Sequence, residues 1–202
     1  MLPCVLQGMS TRKIVVFLLV SAAGLMAQSQ SPVTEKPFAS GGSLRLRLES
    51  GEYVIQPSDA EKIVVTVSAD SEERERQTKV AIATDGTFGT VSVRNTPNNH
   101  HFRAVIEVPR RTDLHIRMTA GELHLQPVEG SKDVELRAGE LVIEVPNPEQ
   151  YGHRDASVWA GSVEAAAFDV SKGGLFRSFD QQGPGKYRLH AHVLSGEIQF
   201  QR

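Results

Sequence analysis

The chain is poor in cysteine: Cys4 is the only one among 202 residues. Cys4 precedes the apolar segment near the N-terminus, whereas a lipid-attachment cysteine would follow such a segment. The predicted mature chain therefore carries neither a thiol nor a disulfide, although an exported protein could form one. We expect the folded chain to be stabilised by packing alone.

Aromatic residues and an excess of charge of either sign are also scarce. Phe, Trp and Tyr make up 6% of the chain, which argues against a large aromatic binding platform. Lys and Arg total 22 against 24 Asp and Glu, a formal net charge of −2. No basic stripe is present to neutralise phosphates, so we expect no nucleic-acid partner.

The longest apolar run lies at the N-terminus and is typical of a secretory signal peptide. Arg12 and Lys13 precede an apolar segment at 14–25, and cleavage is predicted after Ala27, with Gly24 as the rival site. Met9 begins a more usual signal start than Met1. The segment is short for a membrane span, and the alternative to cleavage is an uncleaved anchor. We predict an exported protein, periplasmic, secreted or on the cell surface, with no membrane span in the mature chain.

The remaining chain is predicted to be a polar lead-in at 28–43 followed by one β-repeat domain at 44–202. The lead-in is rich in Ser, Pro and Gly and is interpreted as unpacked. From Leu44 apolar and polar residues alternate, which indicates a half-buried strand. The charged run at 70–79 is interpreted as a solvated connection, with one exposed helical turn as the alternative. Asp85-Gly86 predicts a hairpin turn.

One short phrase recurs five times and organises the domain. It consists of alternating apolar residues, a small residue, a glycine and, in four copies, a glutamate. The copies are LESGEYVIQ, MTAGELHLQ, LRAGELVIE, VWAGSVEAA and VLSGEIQFQ, with Gly51, Gly121, Gly139, Gly161 and Gly196 at their centres. The last four glycines are 18, 22 and 35 residues apart, and the longest gap has room for one irregular repeat.

The apolar positions around each glycine predict a corner. They lie three residues before it and two after it, so the alternation changes phase there. The preceding residue is always Ala or Ser, which resists the positive φ required at both central positions of a type I′ hairpin turn. A type II bend needs positive φ only at the glycine. We favour short strands that coil into a β-solenoid or β-roll, with a hairpin-built β-sandwich as the alternative all-β fold.

The chain resembles the putative bacterial adhesin family of β-strand-repeat proteins, a domain of unknown function. The resemblance rests on GGSLRLRLESGEYVIQP, on FRAVIEVPRRTDLHIRMTAGELHLQPVEG, on the repeated AGE corners and on YRLHAHVLSGEIQF, and it covers about 43–200. It implies an exported β-solenoid-like or β-roll domain. The resemblance identifies no catalytic residues in this chain.

Two sets of residues are candidates for a metal site. Glu52, Glu122, Glu140 and Glu197 follow four of the five glycines, with Ser162 in the fifth position, and stacking would align them into an acidic ladder for a divalent cation. The alternative is a set of solvated corners, and the dense Asp and Gly of calcium-binding repeats is absent. His115 and His124 flank one corner, while His190 and His192 share a strand face. Such pairs bind zinc or copper only if the fold brings them together.

Other candidates are binding or catalytic residues. Trp159 is predicted to point outward beside a corner, where it could contact a sugar ring or cover an edge. Asn98, Asn99, His100 and His101 lie in a predicted loop. A polysaccharide-cleaving enzyme could use Asp155, Asp169 or Asp180, but no nucleophile motif or triad is visible. We therefore assign no catalytic, cofactor-binding or metal residue and expect no cofactor.

The function predicted from these observations is that of an exported, non-catalytic binding or scaffold module. Its expected partner is an envelope glycan or a protein. The alternative is a carbohydrate-active lyase or hydrolase built on a solenoid, which rests on fold analogy alone.

Overall fold

The computed structural model describes residues 33–97 and 101–202, with only the backbone at 175 and 176. The predicted signal peptide and the loop residues Asn98, Asn99 and His100 lie outside the described residues. The strands are β1 (Val33–Pro37), β2 (Gly42–Leu48), β3 (Gly51–Ser58), β4 (Lys62–Ser68), β5 (Lys79–Asp85), β6 (Phe88–Arg94), β7 (Arg103–Pro109), β8 (Thr112–Leu125), β9 (Lys132–Glu144), β10 (Tyr151–Ala165), β11 (Val170–Gln182) and β12 (Tyr187–Gln201). A helix, α1, spans Glu72–Gln77, and 3-10 turns span Pro148–Gln150 and Ala166–Phe168.

The described strands form one mixed sheet. At its centre β8, β9, β12 and β10 lie parallel in that order, and β8 also pairs in parallel with β2 and then β3. On the other side of β2 and β3 lie β6 and β7, again parallel to them. The antiparallel pairs β10–β11, β5–β6, β4–β7 and β1–β4 complete the sheet.

The repeated glycines align across the parallel strands. Gly51 pairs with Gly121, Gly121 with Gly139, Gly139 with Gly196, and Gly196 with Gly161. Each phrase therefore pairs with other copies of itself, and none of the five corners is a hairpin turn. We call the part of each bent strand before the glycine its first arm and the part after it its second arm.

The predicted phase change at the corners is confirmed. The inward residues on both arms are buried and belong to one core: Leu48 and Tyr53, Met118 and Leu123, Leu136 and Leu141, Val158 and Val163, Val193 and Ile198. The all-β prediction is also confirmed. Because both arms enclose one core, the layering fits the sandwich alternative.

The corner glycines all have positive φ, between 110° and 154°. These values exceed the roughly +80° of a type II turn, and β8, β9, β10 and β12 each continue through the corner as one strand. The corner is therefore a bend within a strand. Among the described non-glycine residues only Asn95 and Asp169 have positive φ, so the small residue before each glycine keeps an ordinary conformation.

Two local predictions were wrong. The lead-in is packed from Val33 onward, because β1 pairs with β4 and Phe38 is only 2% exposed. The charged run contains α1, so the helical-turn alternative was correct. The Ser71 side chain caps this helix, and Arg74–Asp70 and Arg76–Glu72 form ion pairs one turn apart.

The Asp85-Gly86 hairpin prediction is confirmed, since β5 and β6 are antiparallel and Gly86 has a φ of 58°. The long gap between Gly161 and Gly196 contains β11, which runs antiparallel to β10 with Gly174 opposite Gly161. The irregular repeat allowed for in that gap is thus an antiparallel strand.

The described part of the chain contains no helix that is both long enough and apolar enough to cross a membrane.

Candidate functional site

The outer face of the first arms carries five of the candidate residues: His115, His190, His192, Asp155 and Trp159. Outward residues occur at every second position of a strand, and parallel in-register pairing places equivalent positions side by side. Three rows result. From β6 to β10 the first row reads Thr90, Arg45, His115, Asp133, His190 and Asp155, and the second reads Ser92, Arg47, Arg117, Glu135, His192 and Ser157. The third row consists of the next outward residue of each strand, beside the corner: Arg94, Glu49, Thr119, Arg137, Leu194 and Trp159.

Histidines and aspartates alternate in the first of these rows. Asp133 lies between His115 and His190, and its carboxylate is 3.4 Å from His115 Nδ1. Partial burial alone would raise the pKa of Asp133, but hydrogen bonds from Arg117 and His115, together with the charges of Arg117 and His190, outweigh burial and lower it. His190 Nδ1 contacts the Asp155 carboxylate on the other side. The row thus contains two His–Asp contacts, His115 with Asp133 and His190 with Asp155.

The structure separates the histidine pairs considered for a metal site. His124 lies on a second arm, where its Nε2 is 2.8 Å from the Glu144 carboxylate, whereas His115, His190 and His192 lie on first arms. Within the described residues no three His, Cys, Asp or Glu side chains are grouped so as to hold a metal ion.

Ser157 and His192 form a pair that sequence analysis did not identify. The Ser157 hydroxyl lies 2.8 Å from His192 Nδ1. A nucleophilic serine requires a histidine whose second ring nitrogen is held by a carboxylate. None of the described carboxylates hydrogen-bonds to His192, so the pair lacks the third member of a triad.

The aspartates considered for polysaccharide cleavage lie in two places. Asp155 and Asp180 are opposite each other on β10 and β11, and each contacts a histidine, His190 and His153 respectively. Asp169 instead follows the 3-10 turn Ala166–Phe168 and lines a separate cavity of about 790 Å³. The three therefore do not form one carboxylate cluster.

A groove beside the corner is lined by four arginines. It has a volume of about 270 Å³, and Arg47, Arg94, Arg117 and Arg137 project into it with Glu49 and Glu135. Arg117 bonds to Asp133 at 3.0 Å and to Glu135 at 2.9 Å. We call this feature, defined by the four arginines, the arginine groove.

Trp159 is exposed on the same face, as predicted from the alternation of inward and outward residues along its strand. It is 51% exposed and lies beside Leu194, which is 44% exposed. Leu194 follows Arg137 in the row next to the corner, so the apolar pair continues the arginine groove toward β10.

The second arms carry the predicted acidic ladder on their outer face. Glu52, Glu122, Glu140 and Glu197 are consecutive neighbours, with Ser162 after them. Arg103 lies 3.3 Å from Glu52 at one end, and Glu140 accepts a hydrogen bond of 3.0 Å from Gln199. The two outer faces therefore differ in charge, with the arginine groove on the first arms and the glutamates on the second.

Replacing the central glutamate of this ladder, Glu122→Gln, should stabilise the protein. Glu122 lies between Glu52 and Glu140 and has no ion pair among the described residues, so the change removes two like-charge contacts. We expect a gain of about 0.5 kcal/mol in the free energy of unfolding at low salt, measured by urea denaturation. The gain should shrink at high ionic strength. A loss of stability that salt does not change would contradict this expectation.

The comparisons with known proteins concern the fold. No family model matches the chain, and no curated protein matches it. Among solved structures, a "putative cell adhesion protein" from Clostridium sporogenes ATCC 15579 matches with a TM-score of 0.55 and 13% identity, over 85% of this chain and 99% of that one. The two proteins share a fold. At this identity the likeness extends to the fold alone.

Weaker matches include two proteins called "putative adhesin". One, from Bacteroides fragilis NCTC 9343, has a TM-score of 0.27 and 9% identity, over 86% of this chain and 98% of that one. The other, from Parabacteroides merdae ATCC 43184, has a TM-score of 0.27 and 13% identity, over 68% of each chain.

Sequence reasoning missed the arginine groove, although part of the signal was present. Arg47 and Arg117 lie four residues before Gly51 and Gly121, and Arg137 lies two before Gly139. All three positions alternate with buried positions of their strands, so the repeat assigns these arginines to the outer face. Arg94 belongs to no copy of the phrase, and only the pairing of β6 with β2 brings it to the groove.

Proposed function

We propose that this protein is an exported, non-catalytic binding module of the adhesin type. We place its binding surface on the outer face of the first arms. The observation that carries the proposal is the continuity of the exposed Trp159–Leu194 pair with the arginine groove on that face. Exposed tryptophan and arginine are the residues that most often dominate binding energy at protein surfaces.

The proposed architecture is a β-solenoid or β-roll. Its support is the parallel, in-register stacking of bent strands, with five glycines in one column. Stacking of this kind yields an extended outer surface of repeated positions, which suits a long or repetitive partner.

The proposed location is outside the cytoplasm, in the periplasm or at the cell surface. It is supported by the signal-like segment with Arg12 and Lys13 before an apolar run. The name of the Clostridium sporogenes protein, which shares the fold, agrees with this location. The expected partner is an envelope glycan or an envelope protein.

Retention of the mature protein on bacterial cell-wall and envelope-glycan material tests the proposal. We expect the wild-type protein to be retained and Trp159→Ala to bind about tenfold more weakly, since a buried aromatic contact contributes on the order of 1.5 kcal/mol. Binding is measured as the fraction retained against protein concentration.

The matched control is Val33→Ala. Val33 is also exposed, at 57%, but it lies on β1, which joins the sheet through β4 and β7 beside the second arm β3 and not beside the first arms. We expect its retention to equal that of the wild type. If Trp159→Ala is retained as well as the wild type, the assignment of this surface is wrong.

A further inference from the structure

We propose that the arginine groove binds an anionic polysaccharide through its carboxylate or phosphate groups. The inference rests on the proposed function and names the class of ligand that the same face recognises. The polymer would lie across the strands, with its charges at the groove and a sugar ring against Trp159.

The groove contains guanidinium groups without partners. Among the described residues Arg47 and Arg137 make no hydrogen bond and no ion pair, and both are exposed. Arg94 donates only to the Ser92 hydroxyl, at 3.1 Å. A guanidinium presents a planar set of donors that matches a carboxylate or phosphate in a bidentate arrangement. These three side chains are therefore available to an anionic ligand.

The acidic residues of the groove are already engaged. Glu135 is held by Arg117, at 2.9 Å, and Glu49 accepts a hydrogen bond of 2.6 Å from the backbone N–H of Asn95. Arg117 is thus balanced by carboxylates within the protein, whereas Arg47, Arg94 and Arg137 are not. The groove keeps a positive excess although the whole chain has a formal charge of −2.

The direction of the groove favours a polymer over a small anion. The arginines lie on four adjacent strands, β6, β2, β8 and β9, and Leu194 and Trp159 continue the same line on β12 and β10. Neighbouring strands are about 4.8 Å apart, so the line is about 24 Å long. A single carboxylate or phosphate would occupy only one part of it.

The residue at the β10 end of this line, Trp159, favours a polysaccharide over an acidic peptide. Trp159 is 51% exposed next to the charged part of the surface, and sugar rings pack against exposed aromatic side chains. The acidic ladder on the second arms repels the same polymer, so binding is confined to the first arms.

The test uses the fluorescence of Trp159, which is the only tryptophan in the chain. The mature protein is titrated with polygalacturonate, with phosphomannan and with neutral dextran of similar length. We expect both anionic polymers to bind and to weaken as salt rises, and dextran to bind at least tenfold more weakly. The tighter of the two anionic polymers identifies carboxylate or phosphate as the preferred group.

The decisive variant is the double substitution Arg47→Gln and Arg137→Gln. We expect at least a tenfold loss of affinity for the anionic polymers and a weaker salt dependence, with unchanged thermal stability because both side chains are exposed. The matched control, Arg74→Gln with Arg76→Gln, removes the same charge from α1 and should bind within about twofold of the wild type. Equal affinity of the two double variants, or equal binding of dextran, would overturn the inference.

The retention assay separates failure of this inference from failure of the proposed function. Suppose that envelope material retains the wild-type protein and retains Trp159→Ala more weakly, but retains the Arg47→Gln, Arg137→Gln variant as well as the wild type. The surface then binds a ligand that is not anionic. In that case the proposed function stands and the inference is wrong. If the wild type is not retained at all, the proposed function is wrong.

Discussion

Gly139→Val should destabilise the protein by about 4 kcal/mol or prevent it from folding. Gly139 has a φ of 129°, which a β-branched residue adopts only with strain. A Cβ at this position would also lie 1.9 Å from the backbone oxygen of Gly121, which cannot move without breaking the stack. We expect a drop of about 10 °C in the melting temperature, measured by circular dichroism.

Two glycine substitutions serve as controls for this variant. Gly86→Ala places a Cβ in open space at a φ of 58°, so it isolates the conformational strain and should cost about 1 kcal/mol. Gly173→Ala meets no atom within 4 Å and involves no positive φ, so its effect should stay within about 0.5 kcal/mol. An unchanged melting temperature in Gly139→Val would refute the account of the corner.

The stability of the wild-type protein should rise between pH 7 and 9.5 because of one buried lysine. Lys132 is 2% exposed, and its ammonium group donates to the carbonyl oxygens of Val128, at 2.6 Å, and Gly130, at 3.2 Å. Burial lowers the pKa of Lys132 to about 8, although Asp113 and Glu129 oppose the shift.

The direction of this effect follows from the two protonation equilibria. Below pH 8 the lysine is charged in both states, and the cost of burying the charge is fully present. Between pH 8 and the unfolded value of 10.5 only the unfolded state keeps the proton, so the free energy of unfolding increases with pH. We expect an increase of about 2 kcal/mol by pH 9.5.

Urea denaturation at several pH values measures this increase, with Lys132→Met as the control. The methionine does not titrate, so the difference between the two proteins isolates the lysine. The range ends below pH 10 because burial raises the pKa of Tyr53 and Tyr151, and ionisation of the unfolded tyrosines then lowers stability. Parallel pH profiles for the two proteins would show that Lys132 is not the cause.

The repeated phrase correctly predicted the buried residues at the corners and the alignment of the repeats. Alternation and glycine position identified the buried pairs, such as Met118 with Leu123, and the aligned glutamates from Glu52 to Glu197. These features depend on local geometry, because side chains alternate along a strand and a corner at glycine shifts the phase.

The repeated phrase did not predict the order of the strands in the sheet. In the chain Gly161 precedes Gly196, but in the sheet Gly196 lies between Gly139 and Gly161, because β12 inserts between β9 and β10. Each copy carries the same apolar pattern and fits beside any other copy. The pattern therefore does not specify which copies become neighbours.

The buried lysine was missed for a related reason. Lys132 lies at the start of β9 at a position that alternation assigns to the core, where a lysine is ordinarily excluded. Its acceptors are carbonyl groups of the preceding turn and the hydroxyl of Tyr151 from another strand. The turn and the distant tyrosine meet only in the folded chain.

By itself, the sequence determined which residues face the core and where the chain bends, because burial and positive φ act on each strand separately. Only the tertiary structure decided which outward side chains share a surface. Arg47, Arg94 and Arg137 come from three different strands: the repeat places Arg47 and Arg137 on the outward side of their own strands, but it does not make those strands neighbours, and Arg94 belongs to no copy of the repeat. Strand pairing brings them together, and the candidate binding surface exists only after that pairing.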